Sequence, residues 1–288
     1  MPLLTAEELA SMSPIFKGKN GKSFAEHLLH LFSMDRLNAV YDRRAYLQGP
    51  DFAAAILEDQ SINYQIGGAD ALEKLPKGPF ITISNHPYGS IDGIILIDLF
   101  GHIRPDYKVM VNKVLSCIKT LGPNFINVIP TGDQKTAPAA DSILGVKHTL
   151  THLRDGSPMG FFPSGAVSDL SLKDFKIHDR EWQKPVLRLI KAARVPILPV
   201  HFLDRNSNFY YLLGLISWKI RLLRLPGEVL NKGGKDVRLT LGPIISEEDQ
   251  DRYKNIDDFG SLLRRSVYGM PVTDSFKMRS EISFPVQK

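Results

Sequence analysis

Past Asn63 the chain alternates short, almost wholly apolar runs with longer stretches of helical period, and few architectures accept that alternation. The runs are Pro79-Phe80-Ile81-Thr82-Ile83, Tyr107-Lys108-Val109-Met110-Val111, Phe125-Ile126-Asn127-Val128-Ile129, Met159-Gly160-Phe161-Phe162 and Pro196-Ile197-Leu198-Pro199-Val200. Strands without polar alternation belong to a sheet covered on both faces. The pattern predicts an α/β fold, a mixed, mostly parallel sheet flanked by helices. Helical stretches at 137–154, ending at Gly156, and at 182–193 would cover that sheet. Upstream, Leu28, Leu29, Phe32, Leu37, Val40 and Tyr41 recur at three and four, which predicts two or three helices within 23–58. The expected organisation is a helical N-terminal lead-in over 1–60 and an α/β domain over 61–288, one structural domain overall. No repeat or linker marks a further boundary.

With 288 residues, 43% apolar and 23% charged, the chain can bury a sizeable core, which excludes disordered, collagen-like and coiled-coil readings. Its single cysteine, Cys117, excludes an internal disulfide and any multi-cysteine metal site, and fits a reducing compartment. The opening Met1-Pro2-Leu3-Leu4-Thr5-Ala6-Glu7-Glu8 has no basic stretch before an apolar core, so no secretory signal is expected. No window reaches the about 18 apolar residues of a spanning helix.

The net charge of +5 suits an anionic partner, and between positions 204 and 238 seven basic residues face three acidic ones. Within that region 209–225 mixes Phe209, Tyr210, Tyr211 and Trp218 with aliphatic and basic residues and stops at Pro226. One reading is a helix lying in a membrane interface, touching lipid through Tyr211, Trp218, Lys219, Arg221 and Arg224. The other is a strand and helix packed in the core with snorkelling Arg stems. Nucleic acid is disfavoured, because the basic residues alternate with long aliphatics and no binding motif is present.

The segment Ile83-Ser84-Asn85-His86-Pro87-Tyr88-Gly89-Ser90-Ile91-Asp92-Gly93 places a His and an Asp just past an expected strand, where active-site groups collect in open α/β sheets. Gly89 and Gly93 permit a tight turn, and Pro87 holds His86 extended, so Asp92 can fold back onto the imidazole. A carboxylate on one ring nitrogen fixes the tautomer and leaves the other nitrogen as a base for a hydroxyl proton. Ser90 lacks the Gly-x-Ser-x-Gly setting of a nucleophile, which argues against a hydrolase or thioesterase. A second segment, Phe161-Phe162-Pro163-Ser164-Gly165-Ala166-Val167-Ser168-Asp169, runs from a strand into a turn whose N–H groups would hold an oxyanion or an anionic ligand.

Together the segments resemble the lysophospholipid acyltransferase superfamily, that of the glycerol-phosphate and lysophosphatidate acyltransferases. Its ordered blocks correspond to Asn85-His86 with Asp92, to Phe162-Pro163-Ser164-Gly165, and to Val195-Pro196-Ile197-Leu198-Pro199-Val200, so the likeness spans about 79–202. The departures are informative. Five residues stand between His86 and Asp92, one more than usual, Ser164 replaces a Glu, and Ala166-Val167 replaces a Thr-Arg whose guanidinium would meet a phosphate. These departures, with Arg180-Glu181-Trp182-Gln183-Lys184, resemble the haemolysin-like branch, which includes bacterial enzymes that place a second acyl chain on ornithine and glycine lipids.

The resemblance implies a membrane-associated O-acyltransferase of lipid biosynthesis, peripheral on the cytoplasmic face. It would move a fatty acyl chain from acyl carrier protein or coenzyme A to a monoacylated amino-acid lipid. Lysophosphatidate acylation and a non-catalytic membrane-binding relative are the alternatives. His86 and Asp92 would be catalytic, and Asn85, Gly89, Ser90, Lys113, Phe162, Pro163, Ser164 and Gly165 would bind substrate. Gly165 and its neighbours would supply the oxyanion donors, and Lys113, Arg180 or Lys184 would meet an anionic donor group. No bound cofactor and no metal is expected: His148 with His152 and His27 with His30 share helical spacing but lack a third ligand. His201 reads as a satisfied buried histidine and Cys117 as a structural thiol.

Overall fold

The computed structural model describes residues 33–128, 140–271 and 273–285, together with Ser23 and His30. Leu28, Leu29, Phe32, His27, the opening eight residues and the expected helix start at 137 lie outside them.

In chain order the helices and strands are α1 (Met34–Arg44), α2 (Gly49–Asp59), β1 (Gln65–Gly67), β2 (Ile81–Ser84), α3 (Ile91–Ile103), β3 (Lys108–Asn112) and β4 (Phe125–Val128). Then come α4 (Ala140–Arg154), β5 (Met159–Phe161), β6 (Asp169–Leu170), β7 (Ile177–His178), α5 (Lys184–Ala193) and β8 (Ile197–Phe202). The chain continues with α6 (Asn208–Ile216), α7 (Trp218–Leu223), α8 (Leu225–Leu230), β9 (Arg238–Leu241), α9 (Glu247–Asp251), α10 (Ile256–Tyr268) and β10 (Phe276–Met278). Each of the five apolar runs holds a strand, Ile129 lying outside the described residues, and the expected 182–193 helix starts at Lys184, where Pro185 suits the first turn.

Eight strands form one sheet in the order β10-β1-β9-β8-β2-β5-β3-β4. From β8 to β4 every pairing is parallel, whereas β9 meets β8 and β10 meets β1 in antiparallel fashion. The fold is therefore a mixed, mostly parallel sheet flanked by helices. Every residue of β2 is buried, as a strand covered on both faces requires. Ile81 and Ile83 pack with Leu187, Ile190, Phe259 and Leu263 of α5 and α10. On the opposite face Leu198, Val200 and Phe202 pack with Phe52 and Ile56 of α2 and with Ile95, Leu96 and Phe100 of α3. Each of those α3 side chains contributes about 2 kcal/mol by leaving water. That anchorage holds the first turn of α3, and with it Asp92, at the carboxyl end of β2.

Residues 209–225 form helices, so the strand expected in the core reading is absent there. Ser207 caps α6 by accepting the Tyr210 N–H, and the chain breaks again at Ser217. No described helix is long and apolar enough to cross a membrane.

Candidate active site

The loop after β2 is built around one carboxylate. Asp92 is fully buried; its Oδ2 accepts the N–H groups of Tyr88 (3.1 Å) and Gly89 (3.2 Å), and its Oδ1 accepts that of Gly93 (3.0 Å). Those donors fold the loop back, and Gly89 makes the reversal with a φ of +83°. A Cβ there would stand 2.6 Å from Val167 Cγ2. The position of Asp92 in the first turn of α3 also sets its charge against the positive end of the helix dipole.

His86 Nδ1 lies 2.9 Å from Asp92 Oδ2, and the imidazole is 16% exposed. The carboxylate is within ion-pair reach of Nδ1 without an aligned N–H···O hydrogen bond; a proton held at Nδ1 by that charge leaves the lone pair on Nε2. Burial disfavours the imidazolium, yet the negative charges of Asp92 and Asp179 outweigh it and raise the His86 pKa above its ordinary value. Phe162 packs its ring on the imidazole, centroids 4.0 Å apart and planes tilted by 31°. The two sequence segments thus meet at His86, one supplying the ring and the other its apolar wall.

The loop backbone is held with equal thoroughness. The His86 N–H donates to Asp179 (3.1 Å), and its carbonyl accepts the Ser168 N–H (2.9 Å). The Pro87 carbonyl accepts the Tyr211 hydroxyl (2.8 Å), and the Tyr88 carbonyl accepts Asn206 Nδ2–H (3.0 Å). Asn85 is buried with Nδ2–H donated to the Phe202 carbonyl and Oδ1 accepting the Phe202 N–H. It ties β2 to β8, so its amide, expected to meet substrate, is engaged within the fold.

Several other expected groups also have partners within the fold. The Gly165 N–H donates to the Phe162 carbonyl (2.9 Å) and closes its own turn. Ser164 is buried with its hydroxyl on the Ala166 carbonyl (2.7 Å), and Pro163 accepts the Gln183 N–H (2.8 Å); neither polar group faces outward. Ser90 precedes α3, and its carbonyl accepts the Ile94 N–H. Lys113 lies beyond β3 in a groove of about 480 Å3 shared with Lys108, Phe125, His148 and Asp155, whose walls include neither His86 nor Asp92. Arg180 pairs with Asp169 and Lys184 with Asp257 (2.8 Å), so both side chains make surface ion pairs.

Of the residues expected to touch lipid, two turn inward. Tyr211 is buried beneath the loop, and Arg221 is buried with its guanidinium on Asp169 and on the Ser168 carbonyl (3.0 Å). Desolvating that charge is compensated inside the protein, which removes it from any membrane contact. Trp218 is 56% exposed, and Arg224 pairs with Glu228 at 3.6 Å. For Lys219 only its place in α7 is described. Phe209, Leu212, Leu215, Ile216, Leu222 and Leu223 are also exposed, so α6 and α7 present an apolar outer ridge above the Tyr210 and Tyr211 inner face.

His201 stands half-buried against Tyr268, its Nδ1 without a hydrogen-bond partner and its pKa lowered by burial, so the expected satisfied histidine is not found. Among the described residues no group of three His, Cys, Asp or Glu could hold a metal ion. The sequence reading missed Asp179, Ser168 and the inward role of Tyr211. Ser168 and Asp179 flank the short β6–β7 hairpin, which brings them together beside the His86 loop.

A family model described as Acyltransferase matches residues 21–270. A lyso-glycine lipid O-acyltransferase of Phocaeicola vulgatus is 28% identical over 276 residues, covering 90% of this chain and 94% of that protein. One of the same name from Bacteroides thetaiotaomicron is 28% identical over 257 residues, covering 86% and 89%. The crystal structure of the 1-acyl-sn-glycerophosphate (LPA) acyltransferase PlsC of Thermotoga maritima aligns with a TM-score of 0.46 and 14% identity, over 83% of this chain and 91% of that one.

Proposed function

The chain belongs to the acyltransferase family, and from that premise we propose that it moves a fatty acyl chain from a thioester donor to the hydroxyl of a lyso-lipid, favouring a monoacylated amino-acid lipid of the glycine or ornithine type. The observation that carries the reading is the His86 Nδ1 to Asp92 Oδ2 contact of 2.9 Å. With Asp92 holding the tautomer, His86 Nε2 takes the proton of the acceptor hydroxyl as that oxygen attacks the thioester carbonyl carbon. The tetrahedral intermediate collapses by breaking the carbon–sulfur bond, and the imidazolium returns the proton to the leaving thiolate. An ester and a free thiol result, with no acyl-enzyme. Phe162 walls the imidazole on one face and limits water there.

Two features favour the amino-acid lipid. Two curated relatives carry the name lyso-glycine lipid O-acyltransferase. No Arg follows Gly165, and the guanidiniums of Arg180 and Arg221 are both committed to Asp169, which leaves a phosphate headgroup poorly served at that block. Separately, the α6–α7 ridge, on the helix that holds the His86 loop through Tyr211, suits peripheral docking on the cytoplasmic membrane face and delivery of the acceptor there.

Acyl transfer by purified protein tests the proposal, with lyso-glycine lipid against lysophosphatidate as acceptor and acyl carrier protein against coenzyme A as carrier. The expected result is diacylated glycine lipid, and the carrier with the higher kcat/KM identifies the donor. A higher kcat/KM for lysophosphatidate overturns the acceptor, and vesicle binding without transfer to either acceptor overturns the enzymatic reading.

A further inference from the structure

Asp179 is fully buried beside the His86 loop, 93 positions away in sequence from the residue it holds. Its Oδ1 accepts the His86 N–H (3.1 Å) and the Ser168 hydroxyl (2.6 Å), and its Oδ2 accepts Trp182 Nε1–H (3.1 Å). Ser168 closes the ring by donating its own N–H to the His86 carbonyl (2.9 Å). Tyr268 accepts the Asp179 N–H (2.9 Å), and Arg264 donates to the Asp179 carbonyl (2.8 Å), which fixes the segment from α10.

All three donors to this carboxylate are neutral groups. A buried carboxylate with neutral partners keeps most of its desolvation cost, which an amide in the same place would avoid. Arg264 and His178 meet the Asp179 carbonyl rather than its carboxylate, whereas the carboxylate charge is felt at the His86 imidazole, a group that gains a positive charge in the reaction. The other charged group facing that ring is Asp92.

We propose that Asp179 is a positioning residue for acyl transfer, locking the His86 backbone to the Phe162 block and lending its charge to the imidazolium that forms as the acceptor hydroxyl is deprotonated. The proposal rests on His86 being the base. Asp92 orients the ring while Asp179 holds the main chain beneath it. Displacing a reacting group by about 1 Å costs about 100-fold in rate.

The test compares wild type, Asp179→Asn, Ser168→Ala and His86→Ala for kcat, KM and the pH dependence of kcat/KM, with an isotope-labelled His86 titration by NMR. Asp179→Asn is expected to lower kcat about tenfold to 100-fold with KM within about threefold of wild type, and to move the acidic limb and the His86 titration to lower pH. Ser168→Ala keeps the charge but removes one donor to it, so its His86 titration moves to higher pH, and this variant decides the matter if Asp179→Asn does not fold. Wild-type kcat and an unmoved titration in folded Asp179→Asn, or an unmoved titration in Ser168→Ala, overturn the proposal while an inactive His86→Ala leaves the base intact. A fully active His86→Ala overturns the reading beneath it instead.

Discussion

The Tyr211 hydroxyl donates a 2.8 Å hydrogen bond to the Pro87 carbonyl, so the helix that carries the apolar ridge is tied to the residue immediately after His86. Tyr211→Phe deletes the donor and leaves that carbonyl buried and unpaired, at a cost of about 1–3 kcal/mol. For a chain of this size that lowers Tm by several degrees, about 2–4 °C per kcal/mol. Thermal unfolding together with kcat checks it: the account expects both to fall, and unchanged values for both contradict the tie.

Activity should follow the neutral form of His86. Its raised pKa places the acidic limb of kcat/KM above the ordinary histidine value of about 6.5, with rate rising as the proton leaves. Stability runs the other way. A group whose folded pKa is raised stabilises the fold fully below its unfolded pKa, and the contribution is lost as pH rises through the folded pKa. Asp92→Asn removes the main opposing charge, so the limb shifts to lower pH and the plateau drops. A wild-type limb below about 6.5, or one that Asp92→Asn leaves in place, contradicts the assignment.

Gly89→Ala tests the loop reversal. A φ of +83° strains any side chain, and the added Cβ would sit 2.6 Å from Val167 Cγ2. The expected destabilisation is at least about 1–2 kcal/mol by denaturant unfolding. Because the Gly89 N–H helps orient Asp92, kcat should fall further than stability alone accounts for.

The ridge of α6 and α7 predicts a separable defect. Ile216 is 75% exposed, so Ile216→Glu leaves the fold and the His86 loop untouched. Partition onto anionic vesicles should weaken about tenfold or more, the worth of one inserted aliphatic side chain. Transfer to a monomerically dispersed acceptor should stay at the wild-type rate. Unchanged sedimentation with vesicles would remove this ridge as the docking face.

How much of this was legible in the sequence follows from the range of each interaction. The five strands from β8 to β4 were visible because each lies in an almost wholly apolar run, and the His86 to Asp92 approach because a short glycine-containing loop can close it locally. The Asp179 contact depends on how the β6–β7 hairpin docks against the loop after β2, and no local pattern encodes that docking. Residues 209–225 were ambiguous for a different reason. A break at Ser217 splits the segment into two helices, so one apolar run holds both the inward Tyr210 and Tyr211 and the outward Leu212, Leu215 and Ile216. The Gly165 N–H looked available because its partner, the Phe162 carbonyl, lies only three residues back within the same turn.

The most direct test of the central claim, that His86 activates the acceptor hydroxyl for direct attack on the thioester, is the initial rate of ester formation by His86→Ala beside wild type, with lyso-glycine lipid as acceptor. The account predicts a loss of about 100-fold to 10,000-fold in kcat, the contribution of a positioned general base, with the fold intact by circular dichroism. A folded His86→Ala that forms the diacylated lipid at the wild-type rate contradicts it.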